Sequence, residues 1–407
     1  MNNQHHTFDR GAATPVGRLP AELLAEFEAK ASARDADREL PFDAINQLKA
    51  IRFGASRLPV TADGGGASLV DVFTQAHALA EADSNIAHIW RNHFMLIERL
   101  VVHPTDDAFL AGLRARVAAG DLIGLAGTEL DRKQTGGASP LGSVLVKHGA
   151  GYRLSGRKFY STGSLFSDWI NTYAALEDGT ATGVVLPIDR KGIELIDDWN
   201  GMGQRLTGTG TTVFADVEVA PEEIIRKERL HPQGQFFSST VAQLFLTTVI
   251  AGVVSAIAKD AGQLLESRGR TFYFAPAEVA KDDPILLASL GEREADAFAA
   301  KAIVLAAAAV LDEASAVITS GADATEATQA AAVAAAKAKV SVDAIALRAA
   351  SGLFDIAGAS ATVRDKNLDR HWRNIRTVAS HNPASYKALA VGARRLNGTP
   401  LPTLGFF

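Results

Sequence analysis

At 407 residues, 47% hydrophobic and 21% charged, the chain has an ordinary globular composition and enough length for two or three domains with large cores. Its net charge of −5 at pH 7 argues against a nucleic-acid partner, which asks for a basic face. The absence of cysteine excludes disulfides, thiolate metal sites and a cysteine nucleophile, and is compatible with a reducing compartment such as the cytoplasm.

Residues 1–17 are polar, with His5, His6, Asp9 and Arg10, and lack the apolar run of a secretory signal; a mobile tail is expected there. A helical domain over 18–119 follows. Pro20 suits a first helical turn, and Leu23, Leu24, Phe27 and Ala31 recur at helical spacing. A second helix is expected over about 41–51. The run Gly64-Gly65-Gly66 opens a loop, and helical spacing returns from Ser68 through Leu69, Val72, Phe73, Ala76, Leu79 and Ala80. One further helix is expected over 86–102.

The period changes over 120–228. A short apolar run at 122–126 precedes two hairpins, 143–147 with 152–159 and 170–176 with 181–186. Residues 211–219 alternate, which predicts Thr211, Val213, Ala215, Val217 and Val219 on one face, and Pro221 ends the strand. This block reads as an antiparallel β domain.

Residues 229–407 return to long helices and predict a bundle. Helices are expected over 236–266, 284–319, 325–353 and 383–396. Asp283 with Pro284, and Asn382 with Pro383, look like N-caps followed by N1 prolines, and Gly398 closes the last helix. From Leu230 to Ala258 only His231 might carry charge, and the stretch could span a bilayer. Its many Gln, Ser and Thr residues favour a buried bundle helix, and no membrane association is expected. The alanine-rich faces suggest tight packing, including packing between subunits.

Chemistry-bearing motifs are sparse. There is no P-loop, no Rossmann glycine pattern, no HExxH pair and no GxSxG elbow. His88 and His93 are five apart and would not share one helical face, so no metal site is expected. Two segments stand out as polar. Residues 158–164 offer hydroxyls beside aromatic rings, readable as a capped turn or as a ligand edge. Residues 364–395 carry eight basic against two acidic residues, readable as solvated or ion-paired helix faces or as an anion site.

The helix, β, helix-bundle order resembles the acyl-CoA dehydrogenase fold, an α+β class. Gly127-Thr128-Glu129 resembles that family's flavin-side Thr-Glu-Pro segment. Gly151-Tyr-Arg-Leu-Ser-Gly-Arg-Lys-Phe-Tyr-Ser-Thr-Gly163 and Gly203-Gln-Arg-Leu-Thr-Gly-Thr-Gly-Thr211 are similar to its two β-domain signatures. Dehydrogenases of this fold need a carboxylate base, and Asn382 stands at the matching position; an amide cannot take a proton near neutral pH. The run from Leu368 through Asp-Arg-His-Trp-Arg-Asn to Ser380-His381-Asn382-Pro383 instead resembles the reduced-flavin-dependent monooxygenases of the dibenzothiophene monooxygenase branch.

That resemblance implies a two-component monooxygenase. It would take reduced FMN, with FAD the weaker alternative, from a separate NAD(P)H-dependent reductase. With O2 it would oxygenate a small apolar substrate at sulfur, nitrogen or carbon through a flavin C4a-hydroperoxide. It implies His93, Thr162, His381 and Asn382 as catalytic residues. It implies Thr128, Tyr160, Ser161, Thr162, Trp199, Arg270 and Ser360 as flavin contacts, Arg270 at the phosphate. A homotetramer is expected. Two alternatives stand beside it: an acyl-CoA dehydrogenase with a displaced base, revived by an acidic residue on the 236–266 helix, and a non-catalytic binding protein of the same fold.

Overall fold

The computed structural model describes residues 16–102, 107–130, 140–226, 230–403 and 407, with only the backbone described at 100–102. Most of the expected N-terminal tail, and residues 131–139 of the loop after Thr128, lie outside the described residues.

Six helices come first: α1 (Ala21–Asp37), α2 (Phe42–Ala50), α3 (Leu69–Ala82), α4 (Ser84–Ile89), α5 (Arg91–Val102) and α6 (Ala108–Ala119). Ser68 and Asp71 form a capping box at the start of α3. The same helix end receives Asp312, whose carboxylate accepts from the N–H groups of Leu69 (2.6 Å) and Val70 (3.0 Å). The helix expected over 86–102 is two helices, because the chain tightens at Trp90, whose N–H donates to Ala87 three residues back (3.2 Å). No glycine or proline marks this break. The fully buried Trp90 ring meets Phe53 edge-on at 5.1 Å, so tertiary packing holds the bend.

The β domain holds β1 (Ile123–Ala126), β2 (Val144–His148), β3 (Gly151–Lys158), β4 (Trp169–Leu176), β5 (Ala181–Pro187), β6 (Ile193–Ile196), β7 (Thr211–Val219) and β8 (Ile224–Ile225). The strand order is β6-β7-β3-β2-β4-β5-β8, with β1 against β4. The sheet is mixed, which corrects the antiparallel expectation: β1 and β2 both run parallel to β4. The face expected for β7 also fails halfway. Ala215 and Asp216 together oppose Ser155, a β-bulge with Asp216 at φ 54°. The bulge flips the alternation, so Thr212 and Phe214 are buried before it and Val217 and Val219 after it.

The C-terminal bundle comprises α7 (Gly234–Glu266), α8 (Pro284–Thr319), α9 (Thr325–Ala357), α10 (Asp369–Ala379) and α11 (Ala384–Asn397). Helix α7 is the hub, packing on α3, α5, α8, α9 and α10. Leu244, Val249, Val254 and Ile257 are fully buried along it, each stabilising by roughly 1.5–3 kcal/mol relative to exposure. It is apolar and long enough to cross a membrane, yet 94% of its apolar window is buried inside the protein. Gly252 is needed there, since a Cβ would sit 2.5 Å from the Ala80 Cβ of α3. Asp283 caps α8 as expected, its side chain accepting from Ile285 N–H at 2.9 Å. Asn382 does not cap α11; Pro383 stands at that cap, and the Asn382 side chain turns into the interior.

Candidate functional site

The site lies where the β domain meets α4, α5, α7 and the turn after α10. Its floor is the segment after β3. Tyr160 adopts φ 56° and leaves its ring half-exposed, edge-on to Trp199 at 6.1 Å. Next to it, Ser161 is buried and its hydroxyl has no hydrogen-bond partner among the described residues. A buried orphan hydroxyl is costly unless a ligand completes it. Thr128 is tied to this floor through its carbonyl, which accepts from Phe159 N–H at 2.8 Å. Below, Glu129 accepts from Lys158 (2.5 Å), Gly142 N–H (2.7 Å) and the Ser143 backbone and hydroxyl. Burial opposes the Glu129 charge, but Lys158 and these donors overcome it and hold its pKa down at about 2.

Thr162 begins a chain of hydroxyls. Its Oγ1 lies 2.9 Å from that of Thr209, which lies 2.5 Å from that of Thr207. Thr207 donates to the carbonyl of Gln204 at 2.9 Å. Each hydroxyl has one hydrogen, so the direction is forced. Thr209 donates to Thr207, Thr162 donates to Thr209, and Thr162 keeps a lone pair as acceptor. Asn92 Nδ2 holds the Thr162 carbonyl at 3.2 Å.

Gln204 ties this floor to the helices. It is buried, at φ 52°, a strained setting for a residue other than glycine. Its N–H donates to Asn374 Oδ1 of α10 (2.6 Å), and its carbonyl also accepts from Trp199 Nε1 (2.9 Å). Its side-chain Nε2 donates to Ser84 Oγ (3.0 Å), which leaves Oε1 facing His88 Nδ1 at 3.0 Å. Oε1 can only accept, so His88 carries its hydrogen on Nδ1 and keeps a lone pair on Nε2. Burial, then the charge of Arg91, pull the His88 pKa down to about 4 against the Gln204 contact, so the ring is neutral at pH 7.

His381 and Asn382 form the opposite wall. Asn382 Nδ2 donates to Gln243 Oε1 of α7 at 2.7 Å and lies 3.4 Å from His381 Nδ1. The buried Asn382 Oδ1 has no partner among the described residues. Burial, followed by Arg91, His88, Lys339 and Lys387, holds the His381 pKa well below its ordinary value. The groups that act most strongly on His381 are all basic, and α7 carries no carboxylate before Asp260. From Gln243 to Asp260 is about 25 Å of helix, and Asp260 is paired with His371 (2.7 Å) and Arg370 (3.0 Å). The displaced-base dehydrogenase reading therefore finds no base on that helix.

The structure brings together Thr128, Tyr160, Ser161, Thr162, Trp199, His381 and Asn382. His93 lies elsewhere. Its Nδ1 accepts from Ile123 N–H at 3.0 Å and its Nε2 donates to the Gly54 carbonyl at 3.1 Å. The ring is fully buried, packs edge-on to Trp90 and Phe94, and is left without a nitrogen for a ligand. The resemblance points to His93 and passes over His88, whose ring meets Gln204. Arg270 and Ser360 are exposed beyond the far end of α7. Gln243 to Glu266 spans about 35 Å, so neither residue can share a mononucleotide with Thr162 in the same chain. Ser360 instead donates to the Ala357 carbonyl at 3.2 Å. Three of the eight basic residues in the run 364–395 are seen in ion pairs: Arg370 with Asp260, Arg373 with Asp35 and Asp369, and Arg394 with Glu326.

The family model for the acyl-CoA dehydrogenase C-terminal domain matches residues 239–386. Over 391 residues the chain is 27% identical to a probable FMNH2-dependent monooxygenase of Pseudomonas putida, covering 94% of this chain and 95% of the relative. Dibenzothiophene monooxygenase of Rhodococcus erythropolis is 31% identical over 274 residues, 62% of this chain and 63% of that protein. The solved methanesulfinate monooxygenase of Pseudomonas fluorescens superposes with a TM-score of 0.85 at 28% identity, covering 95% of this chain and 98% of that one.

Proposed function

We propose that this chain, a flavin-dependent monooxygenase of the acyl-CoA dehydrogenase fold, uses reduced FMN and O2 to insert one oxygen atom into a small organic substrate. One observation carries the reading: among the described residues, two neutral imidazoles and no unpaired carboxylate border the hydroxyl floor, so the site lacks the carboxylate that α-proton removal needs and offers imidazoles that can accept or relay a proton.

The residues fit the flavin that the relatives' names carry. The orphan hydroxyl of Ser161 and the acceptor lone pair of Thr162 offer polar contacts to a ring edge, and Tyr160 with Trp199 offers an aromatic wall. When bound, reduced FMN would supply the electrons that activate O2. The chain's own part is proton control. The hydroxyl chain to Gln204 aims the Thr162 lone pair at the ligand, which suits an N–H donor on a reduced flavin. His88 can accept a proton on Nε2, and the Asn382 amide orients His381. Burial of His88 and partial burial of His381 limit water at the reacting centre.

The reading further includes a separate NAD(P)H-dependent reductase, since the P. putida relative is named for reduced flavin. It also includes a homotetramer in which Arg270 and Ser360 of one copy reach the flavin phosphate region of another.

Stopped-flow absorbance tests the function. Protein premixed anaerobically with reduced FMN is mixed with aerated buffer. A transient distinct from reduced and oxidised flavin, outliving that of free flavin, supports a monooxygenase. Reoxidation at the rate of free flavin contradicts it.

A further inference from the structure

The substrate's own chemistry is addressed by one side chain beside the two histidines. Arg91 opens α5, three residues after His88. Its Nε donates to the carbonyl of Ala242 on α7 at 3.1 Å. Ala242 precedes Gln243, which takes the Asn382 amide, so the guanidinium is pinned where α5, α7 and the His381 turn meet.

Many other buried and half-buried arginines of the chain have carboxylate partners, among them Arg34 with Asp83 (3.0 Å), Arg57 with Glu98 (2.9 Å), Arg293 with Asp296 (3.4 Å) and Arg373 with Asp35 (2.8 Å), whereas Arg205 and Arg268 place terminal nitrogens on the backbone carbonyls of Asp35 and Ile356. Arg99, which lacks one, satisfies its head group on the hydroxyls of Ser238 and Tyr173. Among the described residues, Arg91 has no carboxylate partner, and its two terminal nitrogens have no hydrogen bond. Burial lowers its pKa only to about 10, so it stays charged at neutral pH. Asp343 of α9 is taken by Lys339 at 2.7 Å. A half-buried guanidinium with no anionic partner asks for an anion from outside the chain.

We propose that the two terminal nitrogens of Arg91 grip the oxyanion head of the organic substrate, a sulfinate or carboxylate, and hold it between His88 and His381. The substrate is then a small organic anion rather than the wholly apolar molecule the sequence suggests. This rests on the flavin reading, because it takes the oxygenated molecule to lie beside these histidines. A second source of the same chemistry is the FMN phosphate, and the test separates the two.

Benzenesulfinate and its neutral analogue methyl phenyl sulfone are titrated calorimetrically into the full chain loaded with oxidised FMN. The wild type is expected to bind the sulfinate at least about 10-fold more tightly than the sulfone. Arg91→Gln is expected to abolish that preference while leaving the affinities for FMN and riboflavin within about 2-fold. No preference in the wild type, or a preference that survives in Arg91→Gln, overturns the proposal. So does an Arg91→Gln protein that loses affinity for FMN but not for riboflavin, which assigns the arginine to the flavin phosphate. If Arg91→Gln does not fold, Arg91→Lys keeps the charge without the two-pronged grip. It should weaken sulfinate binding by about 3- to 10-fold and leave the sulfone unchanged, and equal losses on both contradict the assignment. A protein that binds no FMN sinks the flavin reading, whereas one that binds FMN and ignores charge sinks only this one.

Discussion

Helices α4 and α5 meet at Trp90, and the histidine each carries ends in an opposite circumstance. His93, on α5, is closed on both sides by backbone groups, Ile123 N–H and the Gly54 carbonyl. His88, on α4, is tied on one nitrogen only, by a side chain that is itself tied to Ser84 and whose backbone reaches α10 and the hydroxyl chain of Thr162. Both rings are buried and both have pKa values near 4, with burial the largest cause. Burial and titration therefore do not distinguish a structural imidazole from a working one here. The difference lies in how many of the two nitrogens the fold has already used.

The comparison breaks most visibly through stability. His93→Ala opens a void in the aromatic cluster of Trp90, Phe53 and Phe94 and leaves two buried backbone groups without partners. A loss of about 3–5 kcal/mol is expected in denaturant unfolding. A loss under about 1 kcal/mol would mean that the ring is not a structural post.

Gln204 sharpens the comparison from the other side. Gln204→Leu removes the acceptor for His88 Nδ1–H and the donor to Ser84, and should cost about 1–3 kcal/mol. It should also let the His88 ring exchange tautomers, which nitrogen chemical shifts of labelled histidine would report; a ring still protonated only on Nδ1 would sink the assignment. Gln204→Glu keeps the acceptor and adds a negative charge. The His88 pKa should rise by about 1–3 units, read by NMR titration. The same change should leave His93 untouched, because its partners are backbone groups.

The smallest contrast is in pH dependence. In both histidines the folded pKa is depressed to about 4 from 6.5, so the unfolded chain protonates first as pH falls. Stability is full above about 6.5 and is lost as pH drops toward 4, by up to about 3 kcal/mol per ring. Replacing either histidine by glutamine should flatten the slope of unfolding midpoint against pH by a similar amount. Unequal flattening by more than about 1 kcal/mol would show that one ring titrates in the folded state.

Much of this is legible in the sequence, and the rest has physical reasons for being hidden. Period and punctuation carried the helix, β, helix order, the two hairpins and the Asp283 cap, because those are local. The bend at Trp90 has no glycine or proline and is held by ring packing from elsewhere, so the 3.6-residue period runs through it; His93 rather than His88 is what the resemblance of its short segment implies. The bulge at Asp216 and the parallel pairing of β1 and β2 with β4 are likewise decided between strands. Of the site, Thr162, Ser161, His381 and Asn382 came from resemblance in short segments. Gln204 was invisible because its role depends on a left-handed backbone and five partners from four parts of the chain. Arg91 was hidden for the converse reason, since a missing partner leaves no mark in a sequence.

The most direct measurement is a paired one. His88→Gln and His93→Gln are each loaded with reduced FMN and mixed with O2 at a temperature below both melting transitions, and the lifetime of the flavin transient is recorded. The account predicts that His88→Gln shortens it by about 10-fold or more, whereas His93→Gln decays at the wild-type rate despite its lower stability. The reverse pattern, a collapsed transient in His93→Gln and an unchanged one in His88→Gln, would contradict it.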